Sequence, residues 1–525
     1  MRGANALTPQ SRFSGRGSFP STDIGTATAT ALACVFMHER TDFPIAIIGA
    51  GFAGIGAAIQ LSKAGIHTFT IFERAGEIGG TWRDNTYPGA ACDVPSHVYS
   101  LSFEQNPNWS RRYATSWEIQ EYLLGVVAKW KLREQMRLNT EIVEARFDEK
   151  TGTWTLTSGT GETFTARTVI AGVGGLVDPS YPNIAGMDEF EGEIMHTARW
   201  NHDVDLTDKR VAIIGTGASA VQVVPSIAPI VAMLSVFQRT PAWVVPKFDV
   251  FYPKWLRGLL ARVPFFLRAS RFAKYWTSEL LGPIVFLKSK ILSRVGVFIS
   301  MWNLRRQVKD PELRKKLLPS FQFGCKRVLV SDDYLASFER DNVDLVTDSI
   351  EGIERRGVRT KDGTLHEADA IVLATGYKLG ITTTPFPIIG RDGRMLDDAW
   401  KGGATAYKGM AVAGFPNWFI MMGPNTGPGH TSVLVYTEAQ ISHALQAIKK
   451  LMTENLKYMD IRRGMQDEYN AGIQKRMKYM VWGGCNSWYL DQDGSNHSLY
   501  PGFAAEFVVR TRNLDPDDYE LVGFS

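Results

Sequence analysis

PIAIIGAGFAG, residues 44–54, runs an apolar stretch straight into glycines at 49, 51 and 54. The apolar run predicts a short buried strand, and the glycines predict a tight turn. Apolar spacing from Ile55 to Ala64 predicts a helix that Gly65 ends. His67 to Glu73 then alternates like a second strand. Strand, helix and strand make a βαβ unit, in which the two strands are parallel. The spacing Gly49-x-Gly51-x-x-Gly54 lets a pyrophosphate approach the backbone at the helix N-terminus. Glu73 would accept hydrogen bonds from ribose hydroxyls and repel a 2′-phosphate. The unit therefore suits FAD or NAD rather than NADP. A tight turn with no ligand is the simpler alternative.

The same grammar returns about 165 residues later, as RVAIIG at 210–215 followed by TGASA. Gly215, Thr216, Gly217, Ala218, Ser219, Ala220 and Gln222 would form the turn and first helical turn of a second nucleotide site. A helix is expected from Val221 to Ile227 and a strand from Leu234 to Gln238. That strand ends in Arg239 and Thr240, not in an acid. A guanidinium and a hydroxyl suit the 2′-phosphate of NADP. One unit thus reads as an FAD site and the other as an NADPH site, which implies hydride passing from nicotinamide to flavin.

Disulfide reductases combine the same two sites and need a redox-active cysteine pair. Cys34, Cys92, Cys325 and Cys485 form no C-x-x-C pair, so molecular oxygen is the expected electron acceptor. No disulfide framework and no four-cysteine zinc site is expected, which fits a reducing, cytoplasmic setting. A net charge of +4 over 525 residues is too small to argue for nucleic acid. No run of eighteen apolar residues exists, so no transmembrane helix is expected.

Two longer patterns follow. Residues 190–201 read FEGEIMHTARWN, with Phe190, Gly192, His196 and Trp200 fitting F-x-G-x-x-x-H-x-x-x-W. Residues 79–93 read GGTWRDNTYPGAACD, with Gly80, Trp82, Tyr87, Pro88, Gly89 and Asp93 fitting G-x-W-x-x-x-x-Y-P-G-x-x-x-D. In both, the chain resembles type I Baeyer–Villiger monooxygenases of the class B flavin-containing monooxygenase superfamily. Asn201 departs from the Pro or Asp more usual there. The resemblance runs from about Asp42 to the C-terminus and is weak in the basic helical stretch.

The resemblance implies insertion of one atom of O2 into a ketone to give an ester or lactone, through a peroxide formed at flavin C4a. It implies that Thr81, Trp82, Asp93, Tyr99 and the backbone of Ile142 line the FAD site. Lys326 would assist at the 2′-phosphate, and Arg327, held by Asp93, would be the catalytic cation over the flavin. Trp488, in the segment Asn486–Tyr489, would close over NADP. His196 is expected to link the two nucleotide domains rather than to act as a base. From the residues themselves, Gly423 to Thr431 (GPNTGPGHT) precedes a long helix from about Val433, whose N-terminus would favour negative charge on a reduced flavin. Rival readings are an N- or S-oxygenating flavin monooxygenase and, more distantly, a non-catalytic flavoprotein docked on a membrane.

The expected fold class is α/β, with FAD and NADP Rossmann-like domains and an inserted helical subdomain. Residues 42–176 and 369–525 would form the FAD domain, 177–245 and 320–368 the NADP domain, and 1–41 a disordered extension with Met37 as the natural start. Residues 246–319 would form the insert. Within it, Lys254 to Lys316 holds fifteen Lys or Arg against three acids. A basic amphipathic surface of this kind can rest on an anionic membrane. The favoured reading is a solvated cap whose apolar side packs on the core. The expected substrate is a lipophilic carbonyl compound, taken with O2.

Overall fold

The computed structural model describes residues 43–379, 384–484, 489–490 and 494–524. The expected extension over 1–41 and the NADP-closing Trp488 lie outside the described residues. Two five-stranded parallel sheets carry the fold. In the first, β1 (Ile45–Ile48) lies between β2 (Phe69–Phe72) and β4 (Thr168–Ala171), with β3 (Met136–Arg137) and β10 (Trp418–Ile420) at the edges. All four β1 residues are buried, as expected of a parallel strand covered on both faces. In the second, β6 (Arg210–Ile214) lies between β7 (Met233–Phe237) and β9 (Ala370–Leu373), with β8 (Val343–Val346) and β5 (Glu193–His196) outside them.

This topology moves one boundary. The strand from Ala370 was expected to open the second part of the FAD domain, but it pairs with β6 in the second sheet. The boundary therefore falls after Leu373. The two connections between the sheets then run side by side, with Leu176–Pro179 pairing antiparallel with Tyr377–Leu379. The Ser180 N–H donates to Gly376 O at 2.8 Å and the Thr375 hydroxyl donates to Ser180 O at 2.6 Å.

Helix α1 (Phe52–Lys63) begins three residues before the expected Ile55. Gly54 therefore sits inside its first turn, and a Cβ there would stand 1.9 Å from Gly49 O. Helix α2 (Ala220–Ile227) begins at the alanine in the equivalent position. The basic stretch is helical, as expected: α3 (Lys254–Arg262), α4 (Pro264–Phe286) and α5 (Lys290–Gln307), then a short turn at Pro311–Lys316. The Ser289 side chain caps α5 by accepting from Leu292 N.

The packing of that insert bears out the favoured reading only in part. Its inward side is mixed: Arg271 donates to the carbonyls of His97 and Ser100 at 2.9 Å, and the Ser300 hydroxyl donates to Val244 O at 2.9 Å. Leu304 and Met301 also pack into the core of the second sheet and Phe286 into a second buried cluster, while a further set of apolar residues at helical spacing faces outward. A second correction concerns the cysteines. Cys92 is free and buried, but Cys325 is disulfide-bonded. Cysteine usage thus gives no argument for a reducing compartment.

Candidate functional site

The first glycine turn has the shape of a phosphate cradle. Gly49 has φ +96°, and a Cβ on it would lie 2.5 Å from Gly172 O. Gly51 is different: a Cβ there would meet only Gly80 Cα, at 3.9 Å. The backbones of Gly51 and Gly80 thus lie close to one another, with no side chain between them, at the start of α1. Glu73 is buried behind them. One of its oxygens accepts from the Ala50 N–H at 2.9 Å, and the other from Ala75 N–H at 3.0 Å and Arg83 Nη1 at 2.9 Å. Oε2, with one partner, keeps lone-pair capacity for a ribose hydroxyl. The Thr140 N–H donates to Glu73 O at 2.8 Å, which carries the chain to Ile142 two residues on. These residues fit the dinucleotide.

An aromatic wall continues the site. Thr81 and Trp82 lie on a helical turn, Thr81–Asp84. The Trp82 indole N–H donates to the Tyr99 hydroxyl at 3.0 Å, and Tyr99 packs edge-on against Phe52 of α1 at 5.3 Å between ring centres. Burial raises the Tyr99 hydroxyl well above its ordinary value, and the charges of Asp93 and Arg327 also act on it. That places the predicted pair beside the wall. Arg327 donates to Asp93 Oδ2 through Nε at 3.1 Å and through Nη2 as well. The Asp93 carboxylate, above all, raises the guanidinium further. Burial pushes Asp93 up, but Arg327 outweighs it and the carboxyl is held below its ordinary value. Asp93 and Arg327 are therefore both charged. Arg327 also hydrogen-bonds the Tyr489 hydroxyl. With 41% of its side-chain surface still open, Arg327 is held but accessible.

The second turn repeats the geometry. Gly215 has φ +116° and would clash with Ala374 O at 2.4 Å, whereas a Cβ on Gly217 would meet nothing within 4 Å. Gly217 and Ala218 are exposed, while Ser219 precedes α2 without a side-chain capping bond and Ala220 is buried. The Thr216 hydroxyl donates to Thr240 O at 3.1 Å, joining the turn to the strand end that carries exposed Arg239. The open turn and free-standing cation fit NADP. Lys326 lies 5.0 Å from the centre of the Phe321 ring.

Some predicted residues serve otherwise. Gln222 does not point to a nucleotide: its carbonyl accepts from the Tyr87 hydroxyl at 2.9 Å, and its amide donates to Ala91 O at 2.9 Å. It latches the tyrosine-proline-glycine turn of the first unit onto α2 of the second. Gly89 in that turn has φ +82°, and a Cβ would lie 2.2 Å from Ser226 Oγ. Gly423 is buried and packs on Gly409 O, where a Cβ would reach 2.5 Å. Gly192 of the longer motif is pressed against Asp369 O, 2.3 Å from where a Cβ would stand.

His196 ends β5, and its Nδ1 accepts from the Ala198 N–H at 3.0 Å. Burial lowers this ring to about 4, His443 to about 4 and His97 to about 3, against an ordinary 6.5. All three are neutral in the fold, and the unfolded chain binds more protons below pH 6.5. Their contribution to stability is complete above that value and is lost as pH falls toward 4. The melting temperature is expected to drop between about pH 7 and pH 5, and less steeply in His196→Gln. An unchanged slope in that variant would remove His196 from the account.

The sequence reading missed two features. Tyr489 adjoins the predicted Trp488, and only the fold brings it to Arg327. Glu279 on α4 is buried against His430, Oε1 to Nε2 3.1 Å, and also accepts from Ala504 N. It ties the insert to the loop before the long helix α6 (Val433–Thr453). A lone acid between Lys254 and Gln307 was the available signal.

Comparison with known proteins decides the family. A Baeyer–Villiger monooxygenase of Pseudomonas aeruginosa is 42% identical over 481 residues, covering 91% of both chains. The chain belongs to the Baeyer–Villiger monooxygenase family. A Baeyer–Villiger monooxygenase of Streptomyces coelicolor is 41% identical over 489 residues, 93% of each chain. The solved cyclohexanone monooxygenase from Rhodococcus sp. Phi1, bound to NADP+, superposes with a TM-score of 0.81 at 28% identity, over 91% of this chain and 99% of that one. The OTEMO structure with FAD and NADP gives 0.82 at 26% identity, over 92% and 99%. The pyridine nucleotide-disulphide oxidoreductase family model matches residues 46–258, the first glycine turn through the second. As a Baeyer–Villiger monooxygenase the chain is a flavin-containing, NADPH-dependent enzyme, and the two cradles fit those cofactors.

Proposed function

We propose that this Baeyer–Villiger monooxygenase converts a lipophilic ketone to an ester or lactone, with Arg327 as its catalytic cation and Asp93 as the group that holds it. The observation carrying this is the Asp93–Arg327–Tyr489 cluster, an ion pair joined by a hydrogen-bonded hydroxyl and still open to a ligand. FAD would lie along Gly49, Gly51, Gly54 and Glu73 with Thr81, Trp82, Tyr99 and Ile142 beside it. NADPH would lie on the turn from Gly215 to Ala220, with Arg239, Thr240 and Lys326 at its 2′-phosphate.

Bound there, the flavin supplies a two-electron carrier that accepts hydride from NADPH and activates O2. The protein supplies positioning and charge. When an oxygen nucleophile adds to a ketone, negative charge builds on the carbonyl oxygen. A fixed guanidinium stabilises that charge without reorganising, because Asp93 and Tyr489 have already oriented it. Arginine stays charged at any workable pH, so it acts as an electrostatic group and not as a proton donor. Neutral His196 takes no proton either; it fills the join between the sheets, 5.4 Å from the Tyr181 ring.

The reading is tested by mixing the enzyme with NADPH in air and a panel of aryl, cyclic and long-chain ketones, with products read by mass spectrometry. A product one oxygen heavier than the ketone, formed with NADPH in preference to NADH, is expected. Sulfoxides formed from sulfides with no ester from any ketone would overturn it.

A further inference from the structure

The outward sides of α4 and α5 carry a pattern that the proposed chemistry does not use. On α4, Phe265, Phe272, Trp276 and Leu280 stand at i, i+7, i+11 and i+15, which is one face of a helix. All four are exposed, Phe272 by 65% and Leu280 by 75%. On α5, Ile291, Val295, Phe298 and Trp302 stand at i, i+4, i+7 and i+11, again one face. Ile291 is 73% exposed and Phe298 71%. The helices are joined by residues 287–289 and pack on one another. Their inner sides are already committed, through Arg271, Glu279 and Ser300, to the rest of the protein. The apolar faces therefore cannot turn inward.

Soluble proteins rarely leave contiguous apolar surface of this kind uncovered. The charge around it indicates what covers it. Arg268, Lys290, Arg294, Arg305 and Arg306 are exposed beside these residues. The one acid between residues 254 and 307, Glu279, is buried. The outward surface is thus aromatic and aliphatic with a purely cationic border. Long basic side chains can reach lipid phosphates while rings enter the acyl boundary. Among the described residues no helix is long and apolar enough to cross a membrane, so such a surface lies on a bilayer and not through it.

We propose that the outward faces of α4 and α5 seat this enzyme on the surface of an anionic phospholipid bilayer. Docking by this face leaves the Asp93–Arg327 cluster untouched. It would also place the enzyme where a lipophilic ketone partitions, a consequence that rests on the function proposed above.

The test is sedimentation of the full-length holoenzyme with vesicles of phosphatidylglycerol and phosphatidylcholine, against vesicles of phosphatidylcholine alone. Binding is expected to the anionic vesicles and to fall with added salt. Phe272→Glu/Phe298→Glu is expected to abolish it while turnover of a water-soluble ketone is unchanged. Arg268→Ala and Arg294→Ala are each expected to weaken binding by about fivefold. Equal binding to both vesicle types, or none to either, would overturn the proposal. So would a dimer in analytical ultracentrifugation that binds no vesicle and that the Phe272→Glu/Phe298→Glu variant dissociates, which would assign the face to a second copy of the chain.

Discussion

Arg327→Ala is expected to keep consuming NADPH and to make ester about 100- to 1000-fold more slowly, the usual cost of removing one preorganised electrostatic donor. The split between the two readouts is the point of the experiment. Arg327 sits on neither glycine turn, so loss of its side chain leaves both cradles standing. What disappears is the one cation that Asp93 and Tyr489 hold in place. Arg327→Lys restores the charge but not the planar fork that reaches Asp93 through both Nε and Nη2, so it is expected to recover only part of the rate. Asp93→Asn should resemble it, because the guanidinium survives and its orientation does not. Ester formation at the normal rate in Arg327→Ala would sink the assignment. Loss of bound flavin in that variant would show a structural role instead.

Arg239→Ala is expected to raise the KM for NADPH by about 10- to 100-fold and to leave NADH unchanged, since a hydrogen bond to a charged group contributes about 1.5–3 kcal/mol. The prediction rests on position: Arg239 follows β7 on the strand end that Thr216 ties to the nucleotide turn. A surface arginine without a ligand would move neither constant. A loss shared equally by NADPH and NADH would mean that the strand end, not the charge, had been damaged. Lys326→Ala is the comparison that shows how far the two cations share the phosphate.

Both glycine turns were legible in the sequence because each is a backbone requirement. Gly49 and Gly215 adopt positive φ, and Gly54 has no room for a Cβ. The Baeyer–Villiger resemblance was legible for a similar reason: Gly89 and Gly192 are both pressed against neighbouring atoms, so their spacing encodes tertiary contacts. The strand at Ala370 was assigned to the wrong half because a fully buried parallel strand reads the same in either sheet. Its partner, β6, lies more than 150 residues earlier. The insert showed its period but not its orientation. Helical spacing identifies apolar positions without saying what they touch, and here one set packs inward while another faces out. Gln222 and Tyr489 were beyond reach for the same reason, since their partners are set by the approach of distant segments.

The Gln222 latch has a consequence for anyone recombining this fold. The segment from Tyr87 to Ala91 belongs in sequence to the flavin half, yet its hydrogen bonds and its glycine are fitted to α2 of the nicotinamide half. A chimaera that transplants residues 193–373 from a relative would cut through that seam without touching a single strand. To keep hydride donor and acceptor aligned, the graft must bring its own residues 85–91, so the transferable unit is larger than either sheet and is not contiguous in the chain.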